Sequence, residues 1–199
     1  MRRSVYALWQ EAKKKEDSYP QEEEASPKRQ TQEEEKITVL VLSDTHIGQK
    51  LSWFPDEVLR YLDRVDAIIH AGDFTSEKAH NFLAGIGLPF FAVRGNMDTP
   101  SIKETLPEKR IVTLGGVKIA ITHGWGAPWG IEKKVYSFLE RQKPDIIIFG
   151  HSHKPLKKQI GKIQLFNPGA VCGEFSSRRR SFGLLTISSG KAKFDFVKF

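Results

Sequence analysis

Five short apolar runs in the middle of this chain each end within two or three residues of an aspartate, asparagine or histidine. The runs are VLVL, AIIH, FFAV, KIAIT and IIIF, which have the length of strands. Continuous β-branched runs are typical of strands that are buried on both faces of a sheet. Helices predicted over 55–64, 76–84 and 132–142 alternate with these strands, and such alternation favours an α/β domain.

The chain changes character after the last of these runs. LKKQI, KIQLF, FGLLTI and AKFDFVKF are short strand-like segments separated by Gly or Ser-Gly turns. Upstream, RIVTL and VKIAIT flank Gly115-Gly116, a two-residue hairpin signal. The sequence therefore predicts one α/β domain that includes a mixed second sheet.

The first 35 residues differ from the rest. They contain alternating blocks of acidic and basic residues, two prolines and one short segment, SVYALWQEA, with apolar residues on one helical face. We predict a charged N-terminal extension over 1–35, disordered or helical, and a folded domain over 36–199.

The bulk composition limits the compartment and the partners. A single cysteine, Cys172, excludes an intramolecular disulfide and fits a reducing cytoplasm. The sequence contains no apolar run of about 18 residues, so we expect no membrane partner. The net charge of +7 would attract phosphate-bearing molecules, although a solvated basic surface explains it equally well.

The polar residues at the strand ends are of the types that bind metal ions. In an open α/β sheet, ligands bind at the carboxyl ends of the strands, so these residues should converge on one sheet edge. Extended backbone would aim residues i and i+2 in the same direction, which pairs Asp44 with His46 and His151 with His153. Seven oxygen or nitrogen donors suit two ions that share a bridge: Asp44, His46, Asp73, Asn96, His123, His151 and His153. Mn, Fe, Zn or Ni would suit carboxylate and imidazole, and the absence of a thiolate excludes a structural zinc knuckle.

Each of these motifs has an ordinary explanation when it is taken alone. AGD and RGN could be turns, and HGWG could be a loop with a surface histidine. Their joint occurrence, each at a strand end, makes that explanation improbable. Two other histidines serve as a contrast, because His70 is expected in the core or behind the site and His80 on a solvated helix.

The ordered motifs resemble those of the calcineurin-like metallophosphoesterases. The matching segments are Asp44-Thr45-His46, Gly72-Asp73, Gly95-Asn96-Met97-Asp98, His123-Gly124 and Gly150-His151-Ser152-His153. They are most similar to the small bacterial and archaeal phosphodiesterase branch, a relative of the retromer subunit that kept the fold and lost activity. The resemblance implies a metallophosphoesterase domain over 36–199, with two mixed β-sheets packed as a sandwich and flanked by helices.

The resemblance also implies roles for the site residues. One divalent ion would be held by Asp44, His46, Asp73 and His153, and the second by Asp73 (bridging), Asn96, His123 and His151. Mn is the expected metal, with Ni, Fe or Zn as alternatives. Asp73 and Asn96 would be the catalytic side chains beside a metal-bridging hydroxide, and Asp98 would orient the loop from behind.

Two positions depart from the family pattern. Met97 stands where many relatives carry a histidine that assists the leaving group, and a methionine cannot donate a proton. Trp125 replaces a second histidine after His123-Gly124; Trp125 and Trp129 could stack on a substrate ring or cap the core, and we weigh these equally.

These features predict a dinuclear metal-dependent phosphodiesterase that acts on small phosphoesters with good leaving groups. A phosphomonoesterase or nucleotide phosphohydrolase is one alternative, and a catalytically weak scaffold for protein interactions is another. A nucleic-acid enzyme is less favoured, because the chain lacks the large accessory region that such nucleases use. Relatives of this size often self-associate, so a homodimer is also expected.

Overall fold

The computed structural model describes residues 36–174 and 179–199. The predicted charged extension, residues 1–35, lies outside the described residues, and its structure stays a prediction. No helix of the described ranges has the length and apolarity needed to cross a bilayer.

Ten strands and four α-helices occur within the described residues. The strands are β1 (Lys36–Leu42), β2 (Ala67–His70), β3 (Phe90–Ala92), β4 (Lys109–Leu114), β5 (Val117–Thr122), β6 (Ile146–Ile148), β7 (Leu156–Ile160), β8 (Ile163–Asn167), β9 (Ser181–Ser188) and β10 (Lys191–Lys198). The helices are α1 (Asp56–Leu59), α2 (Glu77–Ala84), α3 (Pro100–Thr105) and α4 (Ile131–Leu139).

The prediction of one continuous helix over 55–64 is wrong. Helix α1 ends at Leu59, and a separate 3₁₀ turn spans Leu62–Arg64. The amide of Arg64 donates to the carbonyl of Tyr61 at 2.9 Å, which is the i to i+3 bonding of the tighter helix. Tyr61, which lies at the break, packs its ring edge-on against Phe182 at 5.2 Å between centroids.

Two five-stranded sheets form the body, and both are mixed. The first has the order β10-β9-β1-β2-β3, in which β1, β2 and β3 are parallel and β9 and β10 are antiparallel. The second has the order β4-β5-β6-β8-β7, with β5, β6 and β8 parallel and antiparallel strands at both edges. The predicted pair of mixed sheets is confirmed.

Alternation of side chains along the strands generates the layers. Val39 and Val41 of β1 lie in the core between the sheets, together with Ile119 of β5, and the stacked rings of Phe166 and Phe194 have centroids 4.2 Å apart. On the other face of the first sheet, Leu40 and its neighbours pack with residues of α1, α2 and α3. Residues of α4 cover the second sheet. The predicted sandwich of two sheets flanked by helices is confirmed.

The hairpin predicted at Gly115-Gly116 joins β4 and β5. Both glycines have left-handed backbones, with φ of 52° and 80°, as a tight hairpin turn of this twist requires. A Cβ atom at Gly115 would also lie 2.7 Å from the Ile187 side chain, so the turn closes directly onto the first sheet.

Candidate metal centre

The carboxyl ends of strands from both sheets meet at one end of the sandwich. The loops after β1, β2 and β3 come from the first sheet, and the loops after β5 and β6 come from the second. The imidazole of His123, after β5, donates to the carbonyl of Ala71, after β2, at 2.6 Å and so joins the two sheets. The expectation that all seven donors lie on the edge of a single sheet is therefore wrong. They come from two facing sheets.

Most of the predicted ligands have a left-handed backbone rather than an extended one. Five of the seven have φ between 46° and 67°: Asp44, His46, Asp73, His151 and His153. The pairing argument from extended backbone is therefore wrong in its premise, since each strand has already ended. A residue in this conformation costs on the order of 1–3 kcal/mol, and such strain clusters at functional sites. Here it turns each side chain sharply inward at the strand end.

Two buried carboxylates form the middle of the cluster. Asp44 Oδ2 accepts hydrogen bonds from the Ser43 hydroxyl at 2.5 Å and from the His151 amide at 3.1 Å. Asp73 Oδ1 accepts from the Met97 amide at 2.7 Å. Each carboxylate therefore has one oxygen held by the protein and one, Asp44 Oδ1 or Asp73 Oδ2, that faces the histidines.

Three buried histidines surround these two oxygens. His153 Nε2 lies 3.1 Å from Asp44 Oδ1, and His123 Nε2 lies 3.2 Å from Asp73 Oδ2. His46 Nε2 sits between them, 3.9 Å from Asp44 Oδ1 and 3.6 Å from Asp73 Oδ2. Five of the predicted ligands therefore converge within a few ångströms, and all five are buried.

Backbone carbonyls orient two of the imidazoles from behind. His123 Nδ1 is 2.6 Å from the Ala71 carbonyl oxygen, and His153 Nδ1 is 3.0 Å from that of Gly173. Because a carbonyl can only accept, each Nδ1 carries a proton. Nε2 then donates to the carboxylate when the ring is charged, and it offers a lone pair to an ion when the ring is neutral. This is the tautomer that a metal-binding histidine uses at Nε2.

The remaining two predicted ligands form the solvent side of the cluster. His151 Nδ1 lies 2.9 Å from Asn96 Oδ1, and His151 Nε2 donates to the Gly126 carbonyl at 2.6 Å. With residues from the buried cluster, they line a cavity of about 310 Å³. Its lining residues are His46, Gln49, Lys50, Asp73, Asn96, Met97, His151 and His153. All seven predicted ligands are therefore in one place, five of them buried and two at its opening.

Several polar atoms in this cluster suit a cation. Among the described residues, Asp44 Oδ1, both ring nitrogens of His46 and His123 Nε2 are buried without a hydrogen-bond partner. Such unsatisfied atoms are uncommon in folded proteins and call for an explanation. Donor atoms of Asp44, Asp73 and His123 lie within 4.8 Å of one another, a spacing that a shared ion can bridge. The residues present therefore fit one or more divalent metal ions.

The protonation of the cluster reflects the same geometry. Burial alone would lower the pKa of His123, but the close contact with Asp73 and the charges of Asp44 and Asp73 raise it to about 9. Burial likewise opposes the charged form of His153, yet Asp44 and Cys172 raise its pKa to about 10. The pKa of Asp44 is lowered, because its histidine partners outweigh its burial. Without an ion, protons on these histidines supply the positive charge that the carboxylates require.

Asp98 lies directly behind the cluster. Its Oδ2 accepts from the amides of Asp73 at 3.1 Å and Gly95 at 2.7 Å, and its Oδ1 accepts from the Thr75 amide at 2.9 Å. A Cβ atom at Gly95 would lie 2.1 Å from Asp73 Oδ1, so only glycine permits this approach. The loops after β2 and β3 are thus tied together by one buried side chain.

The two tryptophans and Met97 lie around the opening. They are the large apolar side chains that are most exposed within the described residues, at 42% for Trp125, 79% for Trp129 and 48% for Met97. The Trp125 ring contacts Phe138 edge-on at 5.2 Å, and Trp125 borders a depression shared with Asn96. Trp129 borders a separate groove next to Ser152 and Lys154, which flank His153. Trp125 therefore has both a packing contact and an exposed face.

His70 lies behind the cluster, which is one of the two positions expected for it. It is fully buried, its Nδ1 accepts from the Gly72 amide at 3.1 Å, and its Nε2 lies 3.2 Å from the Thr45 hydroxyl. Burial holds its pKa well below the usual value, so the imidazole is neutral. His80, on α2, is half-buried and contacts Phe74 and Phe90 rather than being fully solvated.

Cys172 is a site neighbour that the sequence analysis missed. Its Sγ lies 3.7 Å from His153 Nδ1, so a thiol borders the predicted ligand set. Cys172 lies five residues beyond the end of β8, outside the two or three residues within which the other strand ends carry their donors. Asn167 is the last residue of β8. It donates to the Gly150 carbonyl at 2.7 Å and to the Ser152 hydroxyl at 3.1 Å, which supports the loop that carries His151 and His153.

Comparison with known proteins shows the family of the chain. The family profile described as the calcineurin-like phosphoesterase superfamily domain matches residues 37–190, which include every donor named above. The chain belongs to the calcineurin-like phosphoesterase superfamily. The resemblance of its ordered motifs to this family is thereby confirmed.

Relatives of this phosphoesterase-family protein occur in bacteria. A probable metallophosphoesterase of Mycoplasma genitalium is 38% identical over 139 residues, covering 68% of this chain and 77% of the relative. The probable metallophosphoesterase YsnB of Bacillus subtilis is 30% identical over 164 residues, covering 80% of this chain and 90% of the relative.

Solved structures share the fold. Vacuolar Protein Sorting 29 from Cryptosporidium parvum superposes with a TM-score of 0.69 at 23% identity, covering 82% of this chain and 98% of that one. Wild-type Vps29 from Entamoeba histolytica, solved as a complex with Zn²⁺, has a TM-score of 0.65 at 25% identity, covering 81% and 99%.

Proposed function

We propose that this protein is a dinuclear metal-dependent phosphoester hydrolase that acts preferentially on phosphodiesters. The observation that carries the proposal is the buried cluster of two carboxylates and three histidines with unsatisfied atoms aimed at a common space. The family to which the chain belongs supports the reaction class. A cytoplasmic location and a homodimer are further parts of the proposal, the first because a single cysteine fits a reducing compartment.

The donors divide into two sets around Asp73. In this proposal Asp44, His46, Asp73 and His153 hold one ion, and Asp73, Asn96, His123 and His151 hold the other. The ions would supply Lewis-acid activation of water and of the phosphoester. Mn²⁺ is the proposed metal because oxygen and imidazole donors dominate the set; Ni, Fe and Zn are the alternatives. The Zn²⁺ complex of the Entamoeba relative supports a divalent ion without selecting among them.

The chain itself would bind and orient the phosphoester at the opening. Lys50 lines the cavity, and Lys103 Nζ donates to the Asn96 carbonyl at 2.7 Å, so positive charge lies beside the place where an anion would enter. Asn96 offers a neutral amide to phosphoryl oxygens as charge develops on them. Asp98 holds the Asp73 and Gly95 backbones in place and limits movement of both loops.

Met97 supports the preference for diesters with good leaving groups. Its side chain lines the cavity and offers no proton, so a leaving group must depart without a general acid from this position. Loss of a general acid costs about 10²–10⁴-fold for poor leaving groups and much less for aryl groups. Lys50 at the same cavity would also suit the dianion of a monoester, so a phosphomonoesterase or nucleotide phosphohydrolase is the second candidate.

A substrate panel with a matched variant tests the proposal. We expect Mn²⁺-dependent hydrolysis of bis-aryl phosphodiesters to exceed that of aryl monophosphates and nucleotides. Asp73→Asn should lower the activity by about 100-fold or more, since loss of even outer partners of a metal site costs 10–100-fold. Asp195→Asn is the control, because that aspartate pairs with Lys193 on the exposed face of β10.

The outcomes separate the candidates. Faster hydrolysis of monoesters than of diesters would favour a phosphomonoesterase over a phosphodiesterase. Full Mn²⁺-dependent activity in Asp73→Asn would show that the proposed centre is not the catalytic site. If no substrate is hydrolysed although metal is shown to bind, a catalytically weak scaffold would be favoured.

A further inference from the structure

The thiol of Cys172 lies against the histidines at one end of the cluster. Donor atoms of Cys172, His46 and His153 all lie within 4.8 Å of one another. The Cys172 amide donates to the Asp44 carbonyl at 3.1 Å, and the Val171 amide donates to that of Ser43 at 3.2 Å. Two backbone hydrogen bonds therefore fasten the loop after β8 to the loop after β1, and they hold the thiol in this position.

His46 provides a second observation, besides the thiol, that points to a ligand at this end of the cluster. It is 3% exposed, and neither ring nitrogen has a hydrogen-bond partner among the described residues. A buried imidazole with both nitrogens unsatisfied is costly, and an ion that binds one of them removes part of that cost.

The spacing of the thiol and the imidazole fits tetrahedral coordination. Zinc binds sulfur at about 2.3 Å and imidazole nitrogen at about 2.0–2.1 Å, so two such ligands lie about 3.5 Å apart. The observed separation of Cys172 Sγ and His153 Nδ1 is 3.7 Å. Neither atom would have to move far to share one ion.

We propose that Cys172, His46 and His153 form a thiolate-containing site for a soft divalent ion such as Zn²⁺, with one tetrahedral position left for water. Thiolate donors select Zn²⁺ over Mn²⁺, whereas carboxylate sets favour harder ions. The thiol loses its proton to solvent when the ion binds. The site shares two histidines with the proposed dinuclear centre, but it does not depend on phosphoester hydrolysis.

His153 cannot bind an ion at both sites at once, because each site requires a different tautomer of its ring. With the proton on Nδ1, that atom donates to the Gly173 carbonyl at 3.0 Å and Nε2 faces Asp44. With the proton on Nε2, that atom donates to Asp44 Oδ1 at 3.1 Å, and Nδ1 presents a lone pair toward Cys172. Only the second form donates to Asp44, and in it the ring can bind an ion at Nδ1 without reorientation.

Cobalt spectroscopy tests this site on the full chain. We expect the metal-free protein to bind Co²⁺ with a thiolate-to-cobalt charge-transfer band in the near ultraviolet. Since the sequence has one cysteine, that band reports on Cys172. Cys172→Ser should abolish it and lower Zn²⁺ affinity by about tenfold or more, with Mn²⁺ affinity changed by less than about twofold. His80→Gln is the control, because His80 pairs with Asn81 outside the cluster.

A second measurement uses the unaltered protein and so does not depend on how a variant folds. The rate at which a thiol reagent labels Cys172 should fall by about tenfold or more when Zn²⁺ is added and not when Mn²⁺ is added. Cobalt d–d bands without a charge-transfer band, or labelling that Zn²⁺ does not slow, would overturn the thiolate site and leave the proposed hydrolase standing. A charge-transfer band lost in Cys172→Ser, in a protein without hydrolase activity, would support the thiolate site alone.

Discussion

Met97 is the single residue that most affects the chemistry proposed for this centre. Its amide holds Asp73 Oδ1 at 2.7 Å, while its side chain is 48% exposed and lines the cavity. The backbone at this position therefore serves the cluster whatever the side chain is. A change of side chain here should alter proton transfer and leave the buried donors in place.

Replacement of Met97 by histidine tests that separation. In Met97→His we expect turnover of phosphodiesters with poor leaving groups to rise by about 10²-fold or more, because a positioned imidazole can protonate the departing oxygen. Bis-aryl substrates should change by much less, since an aryloxide leaves without assistance. The measurement is kcat/KM for a series of leaving groups with Mn²⁺ present.

Met97→Gln is the matched control, since it is of similar size and offers no general acid at neutral pH. An equal gain for poor and good leaving groups, or an equal gain in both variants, would contradict a role in proton transfer.

At the scale of the elements, strands deliver the donors and the residues just beyond them aim the side chains. The left-handed backbone at Asp44, His46, Asp73, His151 and His153 recurs at the ends of β1, β2 and β6. An L-residue in this conformation costs about 1–2 kcal/mol relative to glycine. The loops are therefore strained at the positions where the ligands are placed.

Two substitutions at one position measure that strain. In the metal-free protein, His46→Gly should be more stable than His46→Ala by about 1 kcal/mol, because glycine adopts a φ of 46° without steric cost. The glycine variant loses part of this advantage through the greater entropy of its unfolded chain. The free energy of unfolding in urea, with a chelator present, gives the comparison.

The same pair at His80 is the control. His80 lies within α2, where glycine is about 1 kcal/mol less favourable than alanine. The order of the two variants should therefore reverse between the positions. The same order at both would show that the loop after β1 is not strained at His46.

At the scale of the whole molecule, the packing of the two sheets brings together charged side chains that neither sheet carries alone. Asp44 and Asp73 come from the first sheet, and His123 and His153 come from the second. The carboxylates raise the pKa of His123 to about 9 and of His153 to about 10, although burial acts in the opposite direction. The stability of the sandwich is therefore linked to pH through this cluster.

The sign of the linkage gives a prediction for the metal-free protein. A histidine whose folded pKa exceeds its unfolded value of about 6.5 binds more protons when folded. Its contribution to stability is complete below pH 6.5 and is lost as the pH rises through 9 to 10. We expect the free energy of unfolding with a chelator to fall from pH 6.5 to 10 in denaturant titrations.

Added Mn²⁺ should act in the opposite direction, because the ion competes with protons for His123 and His153 and binds more tightly as the pH rises. The stabilisation that Mn²⁺ provides should therefore grow from pH 6.5 to 9. A metal effect that is constant across this range would mean that these imidazoles do not bind the ion.

The sequence by itself determined the order of the strand segments along the chain and the position of seven donors just after five strands. Those features are local, because β-branched runs set the strands and Gly95 with its neighbours marks where the backbone turns. The tertiary structure decided that the donors come from two facing sheets, since sheet partners separated by a hundred residues cannot be read from periodicity. The left-handed backbone at the ligands was also not predicted, because the pairing of residues i and i+2 assumed an extended chain. The thiol of Cys172 joined the cluster only because the loop after β8 bonds to the loop after β1.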